Sequence, residues 1–233
     1  QDRPAAPVCL GRGDARRRAH GATVIVTVTG ASGYLGGAVA AALVAAGHEV
    51  RTLQRRPSGV TGATDVLGSV TDPAVVARAV DGAEGVIHLA AKVSLAGDPA
   101  EFDRVNVSGT RTVLDAAETA GVTRFVQISS PSVAHAGAAL AGVGAEPASP
   151  ADARGEYART KAESELLALS RDSAAMPVVA IRPHLVWGPG DPQLVARILD
   201  RARRGRLPLL DGGRALIDTT YIDNAASGIV AAL

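Results

Sequence analysis

The stretch "TVIVTVTGASGYLGGAVAAALVAAG", residues 23–47, constrains this chain more than any other part of it. A short β-branched run ends on glycine, two further glycines follow at three-residue intervals (Gly30, Gly33, Gly36), and an alanine-rich helical pattern then runs to Gly47. Strand, tight turn and helix in that order place backbone N–H groups and the positive end of a helix at one spot, with no Cβ to block close approach. Such a spot suits a pyrophosphate. Context matters here, because three glycines alone would be a weak signal in an Ala- and Gly-rich chain.

The same alternation continues. "HEVRTLQRR" reads as a second strand, "AVVARAVDG" as a helix, "GVIHLAA" as a strand and "EFDRVNVSGTRTVLDAAETAG" as one long helix stopped by Gly121. "RFVQISS" is a strand, "GEYARTKAESELLALSRD" a helix and "PVVAIRPHLVWG" one further strand. Repeated strand–helix–strand units imply right-handed crossovers and an α/β doubly wound parallel sheet, a Rossmann fold. Aromatics at 3% leave Val, Leu, Ile and Ala to fill the core, which suits strands buried on both faces. Three parts are expected: a tail at 1–21, a dinucleotide-binding domain at 22–187, and a small substrate lobe at 188–233 that returns to the first domain. Residues 135–155 are Gly, Ala and Pro rich and long for a connection, which marks a lid or binding loop, or else disorder.

A net charge of +1 without a sustained basic stripe speaks against nucleic acid as a partner. One cysteine, Cys9, excludes an intramolecular disulfide, and no run approaches the roughly 20 apolar residues of a membrane span. A cytoplasmic protein is the expectation, and no metal-ligand pattern stands out.

The end of the second strand decides which dinucleotide fits. NAD sites offer an acid there for the ribose 2′-hydroxyl, NADP sites a cation for the 2′-phosphate. Gln54, Arg55 and Arg56 stand in this position, which favours NADP over NAD, with Arg55 the preferred contact and Arg56 the second.

"YARTK" spaces Tyr157 and Lys161 four apart on one helix face. A neighbouring ammonium favours the phenolate and is expected to pull the tyrosine pKa down from its usual value near 10. Tyr157 could then exchange a proton with a substrate oxygen while a nicotinamide exchanges a hydride.

Taken together, "TGASGYLG", "VIHLAA", "NVSGT", "ISSPSV", "YARTK", "IRPHLVWGPGD" and "TTYIDNAA" resemble, in this order, the extended short-chain dehydrogenases/reductases. "GPGDPQL" with "GGRALIDTTYIDNAASGIVAAL" is most similar to the 3β-hydroxysteroid dehydrogenase branch, which includes the 2-alkyl-3-oxoalkanoate reductases. The resemblance implies Tyr157 as general acid/base, Lys161 as the lysine that tunes it and holds the nicotinamide ribose, and Ser130 as donor to the substrate oxygen, with Ser129 structural. It implies cofactor contacts at Gly30, Ser32, Gly33, Tyr34, Leu35, Gly36, Leu89, Ala90, Ala91, Pro183 and Val186. Ser69 and Val70 are expected cofactor contacts as well: they stand where many members place an acid for the adenine, and Ser69 can still accept a hydrogen bond there, more weakly. Asn106 is expected to be structural and His88 a core histidine. Family members continue past the helix after "TTYIDNAA" to close the substrate pocket, so the C-terminal lobe is expected to be truncated. The implied activity interconverts a secondary alcohol and a ketone on a small hydrophobic substrate, with a homodimer as the assembly. Two alternatives stay open: a nucleotide-sugar epimerase or dehydratase, in which Arg201, Arg203, Arg204 and Arg206 could serve a diphosphate, and a non-catalytic dinucleotide sensor.

Overall fold

A computed structural model describes residues 23–233 apart from 95, 136, 138–141, 192–194 and 215, so the expected tail and part of the 135–155 loop lie outside the described residues. Six strands form one parallel sheet: β1 (Ile25–Thr29), β2 (Glu49–Gln54), β3 (Ala63–Leu67), β4 (Gly85–His88), β5 (Arg124–Ile128) and β6 (Val178–Ile181), in the order β3-β2-β1-β4-β5-β6. Successive strands are added in one direction from β1 to β3 and in the other from β4 to β6, and this switch in strand order opens a crevice at the carboxyl ends of β1 and β4.

Helices cover both faces. On one, α1 (Tyr34–Ala45) and α7 (Ile222–Ala231) bury Val39, Leu43, Ala226 and Ile229 against Val26, Val28, Val50 and Ile87. On the other, α2 (Pro73–Val80) and α4 (Gly109–Ala120) bury Val76, Val80, Val113 and Leu114 against Leu53, Val86 and Phe125. Adjacent strand residues thus both end in apolar surroundings, the reason the strands read as nearly continuous apolar runs rather than alternating ones. α2 begins at Asp72, whose carboxylate accepts from the N–H groups of Ala74 and Val75 (3.0 and 3.3 Å), with Pro73 in the first turn.

The structure corrects the sequence reading in three places. β3 was not anticipated: "ATDVL" is a short edge strand with exposed positions and an aspartate, so it carries no apolar signature. The single strand expected over 177–188 is two. β6 stays in the main sheet, and β7 (Leu185–Trp187) pairs instead with β8 (Thr219–Tyr221) in a separate parallel ribbon. Pro183, which lacks an N–H and has a fixed φ, lies at the break. The long helix expected from 101 is α3 (Pro99–Phe102), a π-helical segment (Asp103–Ser108) and α4 in immediate succession. α5 (Glu156–Leu169) and α6 (Val195–Arg203) follow the sequence pattern. Among the described residues no helix is long and apolar enough to cross a membrane.

Candidate active site

The turn after β1 is built so that hydrogen atoms alone fit at two of its glycines. Gly30 takes a positive φ of 78°, and a Cβ there would lie 2.9 Å from the Ala90 nitrogen. A Cβ on Gly36 would lie 2.4 Å from the Gly30 carbonyl oxygen. α1 is therefore seated directly on the turn. Its N-cap is Gly33, no side chain caps it, and its first turn holds no acid, so the first N–H groups and the positive helix end are left for an anion from outside the chain. A dinucleotide pyrophosphate fits this cradle. The Tyr34 hydroxyl reaches Gly188, and Leu35 packs against the core.

Leu89, Ala90 and Ala91 follow β4 beside the cradle. Thr29 Oγ1 accepts from the N–H groups of Leu89 (3.1 Å) and Ala90 (3.0 Å), so its own proton goes to His88 Nδ1 at 2.7 Å. That fixes the tautomer: His88 Nε2–H donates to Thr110 Oγ1 (3.0 Å), which donates to the Asn106 carbonyl (2.6 Å). Every member of this row is satisfied. Burial, then the charge of Lys161, push the His88 pKa down to about 3, so the ring is neutral. His88 is a core histidine.

Asn106 sits in the π-helical segment and ties three pieces together. Its Oδ1 accepts from Lys92 N–H (2.7 Å), and its Nδ2 donates to the Lys92 carbonyl (3.2 Å) and to Thr160 Oγ1 (3.0 Å) on α5. A π turn re-aims one residue without ending a helix, and such turns recur at functional sites. Arg159 reinforces the joint, with Nη2 2.9 Å from Asp103 and further bonds to Glu156 and Glu163.

Ser130, Tyr157 and Lys161 meet at the carboxyl end of β5. Lys161 is 4% exposed and donates to the Ile128 carbonyl at 2.5 Å. Ser130 caps a 3₁₀ turn (Pro131–Ala134), accepts from Ser132, and hydrogen-bonds Tyr157. The expected pull of Lys161 on the phenol is not found. Burial pushes the Tyr157 pKa up, and the Ser130 hydrogen bond opposes it. Burial likewise pushes Lys161 down to about 8. Spacing gave the shared helix face; the Lys161 ammonium turns instead to a main-chain carbonyl.

At the other end of the crevice, Arg55 and Arg56 are exposed after β2, and Gln54 is buried. Asp65 on β3 accepts from Thr52 (2.5 Å), Gln54 (2.9 Å) and the Ser58 N–H (3.1 Å), which knots the arginine-bearing loop to the sheet edge. Burial pushes the Asp65 carboxyl up, and these bonds outweigh it, leaving it below its ordinary value. Asp65 was missed because β3 was. Ser69 Oγ hydrogen-bonds Thr71 Oγ1 (2.8 Å), and Val70 is buried against Gly109. Pro183 and Val186 lie on the segment from β6 into β7. Arg201, Arg203, Arg204 and Arg206 are all exposed, with Arg204 paired to Asp200, and form no enclosed anion site. Among the described residues no cluster could hold a metal ion.

A parallel sheet with a glycine cradle at its switch point defines a dinucleotide-binding α/β protein. The chain belongs to the NAD dependent epimerase/dehydratase family, whose model matches residues 26–233. It is 41% identical over 206 residues to the 2-alkyl-3-oxoalkanoate reductase of Stenotrophomonas maltophilia (strain K279a), covering 86% of this chain and 62% of that protein. It is 35% identical over 220 residues to the 3 beta-hydroxysteroid dehydrogenase/Delta 5→4-isomerase of Mycobacterium tuberculosis (strain ATCC 25618 / H37Rv), covering 89% and 59%. The chain thus spans less than two thirds of the length of either relative. Among solved structures it is similar to a short-chain dehydrogenase/reductase superfamily protein from Agrobacterium tumefaciens with bound NAD, at TM-score 0.73 and 30% identity, over 90% of this chain and 73% of that one.

Proposed function

We propose that this chain carries the dinucleotide site and the proton-transfer residues of an oxidoreductase that interconverts a secondary alcohol and a ketone on a small hydrophobic substrate, of the β-keto acid or 3β-hydroxysteroid class. The observation that carries this reading is the meeting of Ser130, Tyr157 and buried Lys161 at the strand end beside the cradle. The names of the relatives support the substrate class.

Gly30, Ser32, Gly33 and Gly36 would hold the pyrophosphate through main-chain N–H groups, and Leu89, Ala90 and Ala91 would line the adjoining ribose. When bound, the nicotinamide supplies or accepts the hydride. Ser130 Oγ donates to the substrate carbonyl oxygen and holds it against Tyr157. Tyr157 Oη, kept protonated by burial, gives its proton to that oxygen as negative charge develops there, and takes one back in the alcohol-to-ketone direction. Lys161, anchored on Ile128, would hold the nicotinamide ribose beside Tyr157.

NADP is the preferred dinucleotide in this reading. Neutral Gln54 replaces the acid that would repel a 2′-phosphate, the nearby Asp65 is occupied, and Arg55 and Arg56 stand exposed beside it. A homodimer in the cytoplasm completes the proposal and is read by sedimentation and fractionation.

The deciding assay follows reduced-nicotinamide absorbance with NADPH or NADP and a panel of β-keto acids, sterols and nucleotide sugars. Turnover of a keto acid or sterol that disappears in Tyr157→Phe supports the reading. Epimerisation of a nucleotide sugar without net change in nicotinamide would sink it, and cofactor binding without any turnover would leave a dinucleotide sensor.

A further inference from the structure

Lys161 is not alone on the inner face of α5. Tyr157, Lys161 and Glu165 follow at four-residue intervals, so they line up along one stripe of the helix. Glu165 is 1% exposed. It is gripped by Arg182, just beyond β6, through two parallel bonds: Nε to Oε2 at 3.0 Å and Nη2 to Oε1 at 2.5 Å. The third arm of the guanidinium, Nη1, donates to the Glu146 carbonyl at 2.7 Å. One arginine therefore joins α5, the end of β6 and the segment that leads into α5.

A buried ion pair is rarely a gain in stability over apolar packing. This one also lies beside a third buried charge, an ammonium whose hydrogen bond goes to a neutral carbonyl. We infer that Glu165, held in place by Arg182, is a positioning residue for Lys161: it supplies the counter-charge that keeps the buried ammonium protonated and in register with Tyr157. The oxidoreductase reading enters only in the use to which Lys161 is put.

The surroundings leave this role to Glu165. β4 presents His88, which is neutral, and β5 presents the Ile128 carbonyl. Glu156, Glu163 and Asp103 on Arg159, Asp115 and Glu118 on Arg171, and Glu101 on Lys92 are each about a third or more exposed, whereas Glu165 is buried with Lys161. Tyr157 is held neutral by its burial. Glu165 is the charge that opposes the burial of Lys161.

The chain contains two lysines, Lys92 and Lys161, so its lysine side chains can be titrated individually. Isotope-labelled lysine in the unliganded full chain gives two resonances, assigned with Lys92→Arg. Lys161 is expected to titrate near 8. Glu165→Gln keeps the shape and removes the charge, and should lower the Lys161 midpoint by about one pH unit or more, with Lys92 unmoved. Arg182→Lys keeps the counter-charge on Glu165 and should leave the midpoint near that of the parent. If Glu165→Gln does not fold, Glu165→Gln/Arg182→Met removes both buried charges and should move the midpoint down by a smaller amount, because the Arg182 cation that opposes Lys161 protonation goes with the carboxylate. A Lys161 midpoint that stays or rises in a folded Glu165 variant overturns the inference. With an active substrate, the alkaline limb of kcat against pH should move down in step with the NMR midpoint. A lack of turnover bears on the oxidoreductase reading alone, since the titration needs no substrate.

Discussion

The two sides of the crevice are made of different material. On the β1–α1 side the working surface is main chain: glycines bring it close, α1 has no acid in its first turn, and no side chain caps it. On the α5 side the surface is side chain, with Tyr157, Lys161 and Glu165 on one stripe, fixed by Asn106, Arg159 and Arg182. The first side is specified by atoms it lacks, the second by atoms it has. Adding a methyl should damage one, and removing a polar atom should damage the other.

Tyr157→Phe, which deletes one oxygen, should produce the largest effect. A lost general acid lowers kcat by about 10²–10⁴-fold, while the Kd for the dinucleotide, read by quenching of protein fluorescence, should stay within about twofold. If both parameters fall together, the side-chain surface is also a binding surface and the contrast weakens. Gly36→Ala is the counterpart. Its methyl would meet the Gly30 carbonyl at 2.4 Å, and overpacking of this kind costs about 1–3 kcal/mol. Dinucleotide affinity should drop by about 10- to 100-fold with the Tyr157 chemistry preserved at saturation. Unchanged affinity would show that α1 can slide off the turn.

Arg55→Ala tests a charged side chain on the cradle side. NADP binding should weaken about tenfold, the size of one charge-assisted contact, with NAD nearly unaffected. Equal loss for both would refute the 2′-phosphate assignment.

His88 gives the most specific effect. The folded ring has its pKa at about 3 against an ordinary 6.5, so between those values the unfolded chain holds the extra proton. Its contribution to stability is complete above about 6.5 and is lost as the pH falls, by about 1.4 kcal/mol per unit at the steepest. Thermal melts from pH 7.5 to 4.5 should fall more steeply for the parent than for His88→Gln. Parallel curves would mean that the ring is reached by water.

Much of the cradle side could be read from the sequence, because glycine spacing between an apolar strand and a helix has few other meanings. The pair Tyr157 and Lys161 was also legible, as a four-residue interval on a periodic helix. What joins them to the rest was not. Asn106 and Thr160 lie 54 positions apart, and Arg182 lies 17 from Glu165, so no local pattern connects them. The π-helical segment has the composition of the α-helix it continues into, and β3 alternates too weakly to stand out from the loop before it. Pro183 was visible, but whether a proline ends a strand or only bends its edge depends on the partner the chain takes up beyond it, which here is β8 in place of β5.

The π-helical segment has a consequence for how this stretch can change in length. An α-helix advances about 100° per residue, so losing one residue between Asp103 and Ser108 would let the chain close into an unbroken α-helix. Everything on its amino-terminal side would then swing by that angle. Phe102, now buried, would be carried toward water, and Asp103 would leave Arg159. Point substitutions in this turn can be absorbed one contact at a time, whereas a single-codon deletion would reset the whole approach to α5 at once.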